Sequence, residues 1–177
     1  MYNAINEWIL WNRKKLGLTF KNPKLLESAL THSSLRFENE FLESNEILEF
    51  VGDSVMYFII TVHLYKNLGI NKNSGDFSII RSNIISNETF TKFAKKLSLE
   101  NHIKVSKGQN KVGITDAMLS NCFEALIGAI YIDAGITKVK TFFWNNYTSE
   151  IKNLIKQGPL KNTKMIKNEQ KQKSMQD

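Results

Sequence analysis

Apolar residues recur along this chain at helical rather than alternating intervals, which predicts helices joined by short loops. Proline occurs only at Pro23 and Pro159, so nothing between them carries its break in the hydrogen-bond ladder. The spacing predicts helical segments at 3–15, 23–31, 46–68, 76–97, 116–133 and 137–156. Gly17, the polar stretch Ser33–Ser44, Gly69–Gly75, Lys104–Gly113 and Gly135 separate them. The class is all-α, and no internal repeat is visible.

After Gly158-Pro159 the pattern fails. Lys161, Lys164, Lys167, Lys171 and Lys173 stand among Asn and Gln with little that could join a core. The chain therefore divides into a domain over 1–157 and a basic, flexible tail over 158–177. The tail reads first as a solvated end and second as a weak contact for nucleic-acid phosphates.

Two helices contain charges where burial is expected. In Glu46-Ile-Leu-Glu49-Phe-Val-Gly-Asp53 the acids fall at i, i+3 and i+7, which stacks three carboxylates along one face. In the apolar run from Ala117 to Ile132, Glu124 is the only charge, and Asn121 lies one turn earlier on its face. Buried like charges need protonation, basic partners or a cation. Converging oxygens would suit Mg²⁺ or Mn²⁺, which prefer carboxylate and carbonyl donors. From patterning alone, a metal site and separate ion pairs remain equal alternatives. Gly52 and Gly128 interrupt the same two helices at a cost of about 1 kcal/mol each relative to Ala, which points to close helix packing.

Composition narrows the partners. The 177 residues, 42% hydrophobic and 23% charged, can bury one core, and a net charge of +7 makes polyanions natural partners. A single cysteine, Cys122, excludes an intramolecular disulfide and a cysteine-based zinc cluster. It predicts an intracellular location, cytoplasm or nucleus, with an organelle also open. The longest uncharged stretch is interrupted by Ser120, Asn121 and Glu124, so no membrane-spanning segment and no membrane partner are expected. The first fifteen residues lack a secretory-signal pattern.

The motifs resemble those of the ribonuclease III family. Asn45-Glu-Ile-Leu-Glu-Phe-Val-Gly-Asp-Ser54 is similar to its signature, and the likeness extends to Thr31-His-Ser-Ser34, Gly75–Asn87 and Phe123–Asp133 in family order. The resemblance implies an all-helical endonuclease domain, a two-fold homodimer and metal-dependent hydrolysis of double-stranded RNA. One strand would be cut per subunit, leaving 5′-phosphate and 3′-hydroxyl ends. The metal residues would be Glu49, Asp53, Asn121 and Glu124, with Asp53 and Glu124 as its catalytic anchors and Glu46 as an accessory acid. The cofactor would be Mg²⁺, with Mn²⁺ as a substitute. Phe50 falls where relatives place an aromatic in a socket of the partner subunit. Thr31-His32-Ser33-Ser34 reads as structural.

Asn121 departs from the family, which usually has Asp there, and Gln109 departs more mildly. An amide oxygen brings no charge, which predicts lower metal affinity. An alternative is a silent RNA-binding or scaffolding relative, for example one associated with the ribosome. Arg81, Lys107 and Lys111 are candidate RNA contacts, together with Lys92, Lys95 and Lys96, with a merely solvated basic face as the equal alternative. The roughly twenty residues after Pro159 are too few for a separate double-stranded-RNA-binding domain. Binding would then be steeply salt-dependent, with a separate RNA-binding partner protein as one source of specificity.

Overall fold

The computed structural model describes residues 11–68 and 73–159. Most of the helix expected at 3–15, and the tail from residue 160 onward, lie outside the described residues. Six helices are present among the described residues: α1 (Pro23–Ala29), α2 (Glu46–Leu68), α3 (Ser74–Ile84), α4 (Asn87–Lys96), α5 (Lys107–Val112) and α6 (Asp116–Gln157). A π-turn at Asn12–Leu16 and 3₁₀ turns at Ser33–Phe37 and Leu99–Asn101 complete the pattern. Extended pairing among the described residues is confined to an isolated parallel bridge between Thr31 and Lys104.

Local signals place the boundaries. The π-turn ends at Gly17, whose φ of 61° is the left-handed conformation glycine adopts without strain. Helix α1 begins with Pro23, preceded by Asn22, whose side chain accepts from the Lys24 N–H at 3.2 Å. The single helix expected at 76–97 is two. Ser86 Oγ accepts from the Thr89 N–H at 3.2 Å and donates to the Asn83 carbonyl at 2.9 Å, starting α4 while closing α3. Lys104–Gly113, expected as loop, contains α5, capped by Ser106 Oγ on the Gln109 N–H.

Helix α6 reverses on itself. Gly135 has non-helical angles, φ 76° and ψ 179°. Residues 123 and 147 would stand about 36 Å apart in a straight helix, yet the Phe123 and Tyr147 rings lie 5.6 Å apart. The limbs 116–134 and 136–157 are thus folded together, as the break expected at Gly135 requires.

Residues 122–130 of the first limb are all buried, so this limb is the spine of the core. Phe90, Phe93 and Tyr147 close around Phe123, and Phe143 packs on Phe93 and Tyr147. The buried Tyr147 hydroxyl donates to the Phe93 carbonyl at 3.1 Å, satisfying its polar end.

Helix α2 packs its Leu48, Gly52, Val55, Met56, Ile59, Ile60 and Leu64 face inward. By length and a mean hydropathy of 1.5 it is also apolar enough to cross a membrane. Glu49 and Asp53 interrupt its apolar run, so a criterion of unbroken uncharged residues does not single it out. Its packing on α6 and its row of acids are those of a core helix.

Candidate metal centre on α2 and α6

The crossing of α2 and α6 builds the site. A Cβ at Gly52 would stand 1.8 Å from the Glu124 carbonyl oxygen, and one at Gly128 would stand 2.1 Å from that of Leu48. Only hydrogen fits at either point, so the packing inferred from the two glycines is present. The contact seats the backbone of Glu124 on Gly52, which brings Glu124 beside Asp53 and Glu49.

The acids respond to that proximity. The Glu124 residue is 9% exposed, and its carboxyl is pushed up to about 8, first by burial and then by the charges of Asp53 and Glu49. Glu49, half-buried, is also raised, by burial, then Glu46, with Asp53 adding less; the Asn121 amide beside it opposes the shift. Among the described residues neither Glu124 nor Asp53 has a hydrogen-bonding or ion-pairing partner. Among the described residues, separate neutralisation by bases, the alternative left open by patterning, is not seen at these two acids.

Glu46 behaves differently. It is exposed, accepts from Arg36 Nη1 at 3.3 Å and from Ser44 Oγ at 2.9 Å, and so has its own base. The expected row of three acids is therefore two unpaired carboxylates, Glu49 and Asp53, and one paired. As placed, no group of three or more His, Cys, Asp or Glu side chains among the described residues is arranged to hold a metal ion. The carboxylates are near enough to repel one another without closing on one point. The chemistry of the donors nonetheless fits: Glu49, Asp53, Glu124 and the Asn121 amide would offer the hard oxygens that Mg²⁺ or Mn²⁺ prefer, were they drawn together.

The remaining candidates fall into distinct settings. Phe50 is 74% exposed and, with Val51, Ser54, Val55, Phe58, Tyr131 and Ile136, lines an apolar groove of about 490 Å³. His32 caps the 3₁₀ turn: Nδ1 accepts from the Ser34 N–H at 3.2 Å, and the His32 backbone N–H donates to the Lys104 carbonyl at 2.9 Å. Lys92, Lys95 and Lys96 pair with Glu88, Asp116 and Glu150 on the exposed surface, where such pairs hold a side chain only weakly. Lys107 and Lys111, exposed on α5, and Arg81 have no carboxylate partner among the described residues.

Local pattern does not single out Tyr57, Thr61 or Asp133. Tyr57 and Thr61 stand beside Arg81 on α2. Asp133 accepts the Lys21 and Asn22 N–H groups at 2.9 and 2.8 Å, fixing the approach to α1. The spacing of Tyr57 and Thr61 from Asp53, i+4 and i+8, was the available signal.

Known proteins resemble this chain in sequence and fold. A family profile described as Ribonuclease-III-like matches residues 22–151. Ribonuclease 3 from Carboxydothermus hydrogenoformans is 38% identical over 143 residues, covering 78% of this chain and 60% of that protein. Ribonuclease 3 from Clostridium tetani is 38% identical over 146 residues, with 81% and 62% covered. The chain thus spans about three fifths of the length of these curated relatives. The crystal structure of the nuclease domain of ribonuclease III from Campylobacter jejuni superposes with a TM-score of 0.71 at 30% identity, covering 80% of this chain and 95% of that one. With its motifs, helical order and acid-bearing crossing, this chain belongs to the ribonuclease-III-like family.

Proposed function

We propose that the chain is a metal-dependent endoribonuclease domain that hydrolyses phosphodiester bonds of double-stranded RNA. Each subunit of a homodimer would cut one strand, leaving 5′-phosphate and 3′-hydroxyl ends. The nuclease unit would be residues 1–157, with 158–177 as a basic tail. The observation that carries this reading is the Glu124 carboxyl, without a partner among the described residues and driven towards neutrality first by burial and then by Asp53 and Glu49. Such a cluster is costly in isolation and is relieved by a divalent cation.

Asp53 and Glu124 would hold the ion, with Glu49 and the Asn121 amide oxygen completing the donors. A bound ion supplies charge to the phosphodiester oxygens and makes water a better nucleophile near neutral pH. Glu124 is the buried anchor. Asp53 is exposed, which leaves the solvent side open to a duplex. No serine or cysteine nucleophile is needed.

Purified chain incubated with long duplex RNA, single-stranded RNA and duplex DNA, each with Mg²⁺, Mn²⁺ or chelator, tests the proposal. Metal-dependent cutting confined to duplex RNA is expected, and Glu124→Gln should lower it more than about a hundredfold. Asn121→Asp, by adding a charged ligand, should lower the Mg²⁺ requirement about tenfold. An unchanged requirement would remove Asn121 from the donor set. The amide at 121 favours one alternative, a silent RNA-binding or scaffolding relative, which the same assay would reveal as binding without cutting.

A further inference from the structure

Arg81 is set unlike the other described cations. Its guanidinium carbon lies 3.9 Å from the centroid of the Tyr57 ring, and Nη1 donates to Thr61 Oγ1 at 3.1 Å. Thr61 Oγ1 in turn donates to the Tyr57 carbonyl at 2.6 Å. One chain of bonds therefore fixes the hydroxyl hydrogen, the hydroxyl lone pair and the plane of the guanidinium. Arg36 meets a carboxylate, whereas Arg81 meets none among the described residues.

Position gives this fixture its use. Tyr57 and Thr61 follow Asp53 by one and two turns of α2, about 6 and 12 Å along the axis. Arg81 is therefore anchored one to two turns beyond Asp53 along the same helix. Unpaired carboxylates repel a polyanion, and a cation beyond them offsets that repulsion where the flanking phosphates of a strand would pass. A guanidinium has five donors in a planar fork suited to phosphate oxygens, and here one donor is engaged by Thr61. Stacking on Tyr57 orders the side chain in advance, so binding costs it less conformational freedom.

We propose that Arg81 is a preset clamp for an RNA phosphate flanking the one at the Asp53–Glu124 cluster, with Tyr57 and Thr61 as its positioning residues. The proposal rests on the duplex-RNA reading above. It assigns Tyr57 a role that depends on its ring and not on its hydroxyl.

Two measurements on the full chain test it: duplex-RNA affinity in chelator across a range of KCl concentrations, and cleavage kinetics with Mg²⁺ or Mn²⁺. Arg81→Ala should weaken affinity about tenfold and reduce the slope of log affinity against log salt by about one. It should raise KM while kcat stays within about twofold. Tyr57→Leu keeps the cation but frees it, so affinity should fall with the slope retained, and Tyr57→Phe should restore affinity. Arg81→Lys, which keeps the charge and guards against misfolding, should retain the slope and lose affinity. Wild-type affinity and slope in Arg81→Ala would overturn the clamp while leaving the nuclease reading intact. Arg81-dependent binding with no metal supporting cleavage would support the clamp and sink the hydrolytic reading.

Discussion

Along its Gly52 face, α2 lies so close to α6 that a single added carbon would meet the Glu124 carbonyl at 1.8 Å. Along its Phe50 face the same helix exposes Phe50 and Phe58, 74% and 55%, above a groove shared with Tyr131 and Ile136. The first face is filled and polar groups are trapped in it; the second is apolar and open. Tight packing forces unlike neighbours together and so creates chemistry, whereas an open apolar face has surface to bury against another molecule. A second copy of the chain is the occupant implied by the family resemblance at Phe50.

The largest effect should come from filling the tight face. Gly52→Ala must push α2 and α6 apart and should cost at least about 3 kcal/mol, the upper end of overpacking. Urea denaturation of the metal-free protein measures it. A cost below about 1 kcal/mol would mean that the crossing yields easily and does not position the acids.

An effect on the order of a few kcal/mol should follow the charge on the tight face. Glu124 in the folded chain is raised to about 8 from an ordinary value of 4.5. The folded state therefore keeps a proton that the unfolded state releases. This contribution to stability is fully present below about pH 4.5 and is lost as the pH rises through 8. Glu124→Gln should be stabilised relative to wild type at pH 8 more than at pH 5 when both are unfolded in chelator. An equal difference at the two pH values would show that the site does not strain the fold.

The smallest effect on monomer stability belongs to the open face. Phe50→Ala should change the stability of the isolated subunit by less than about 0.5 kcal/mol, because the ring is exposed. It should nevertheless shift sedimentation towards monomer at low micromolar concentration. Unchanged mass would take Phe50 out of any interface.

Much of this contrast is legible in the sequence, for reasons that differ by residue. The bounds of α2 follow from the polar stretch before Glu46 and the glycine after Leu68, both local signals. Glu49, Asp53 and Glu124 stand out because a carboxylate among apolar residues at helical spacing has few tolerable settings. Gly52 and Gly128 add the point of contact. The break at Ser86 is hidden because Ile84 and Ile85 continue the apolar rhythm across it. The Arg36–Glu46 pair depends on the 3₁₀ turn at Ser33–Phe37, and the Lys95–Asp116 and Lys96–Glu150 pairs bridge distant segments. Those partners are set by tertiary folding, which local pattern does not encode.

The reversal at Gly135 also bears on the cost of bringing the chain's contacts together. Joining Phe123 to Tyr147 closes a span of about 24 residues, whereas seating Gly52 on Gly128 closes about 76, a difference of about 1 kcal/mol in closure entropy. The aromatic hairpin therefore has the cheaper closure of the two, and the acid-bearing junction is the contact more exposed to any lengthening of the chain between α2 and α6.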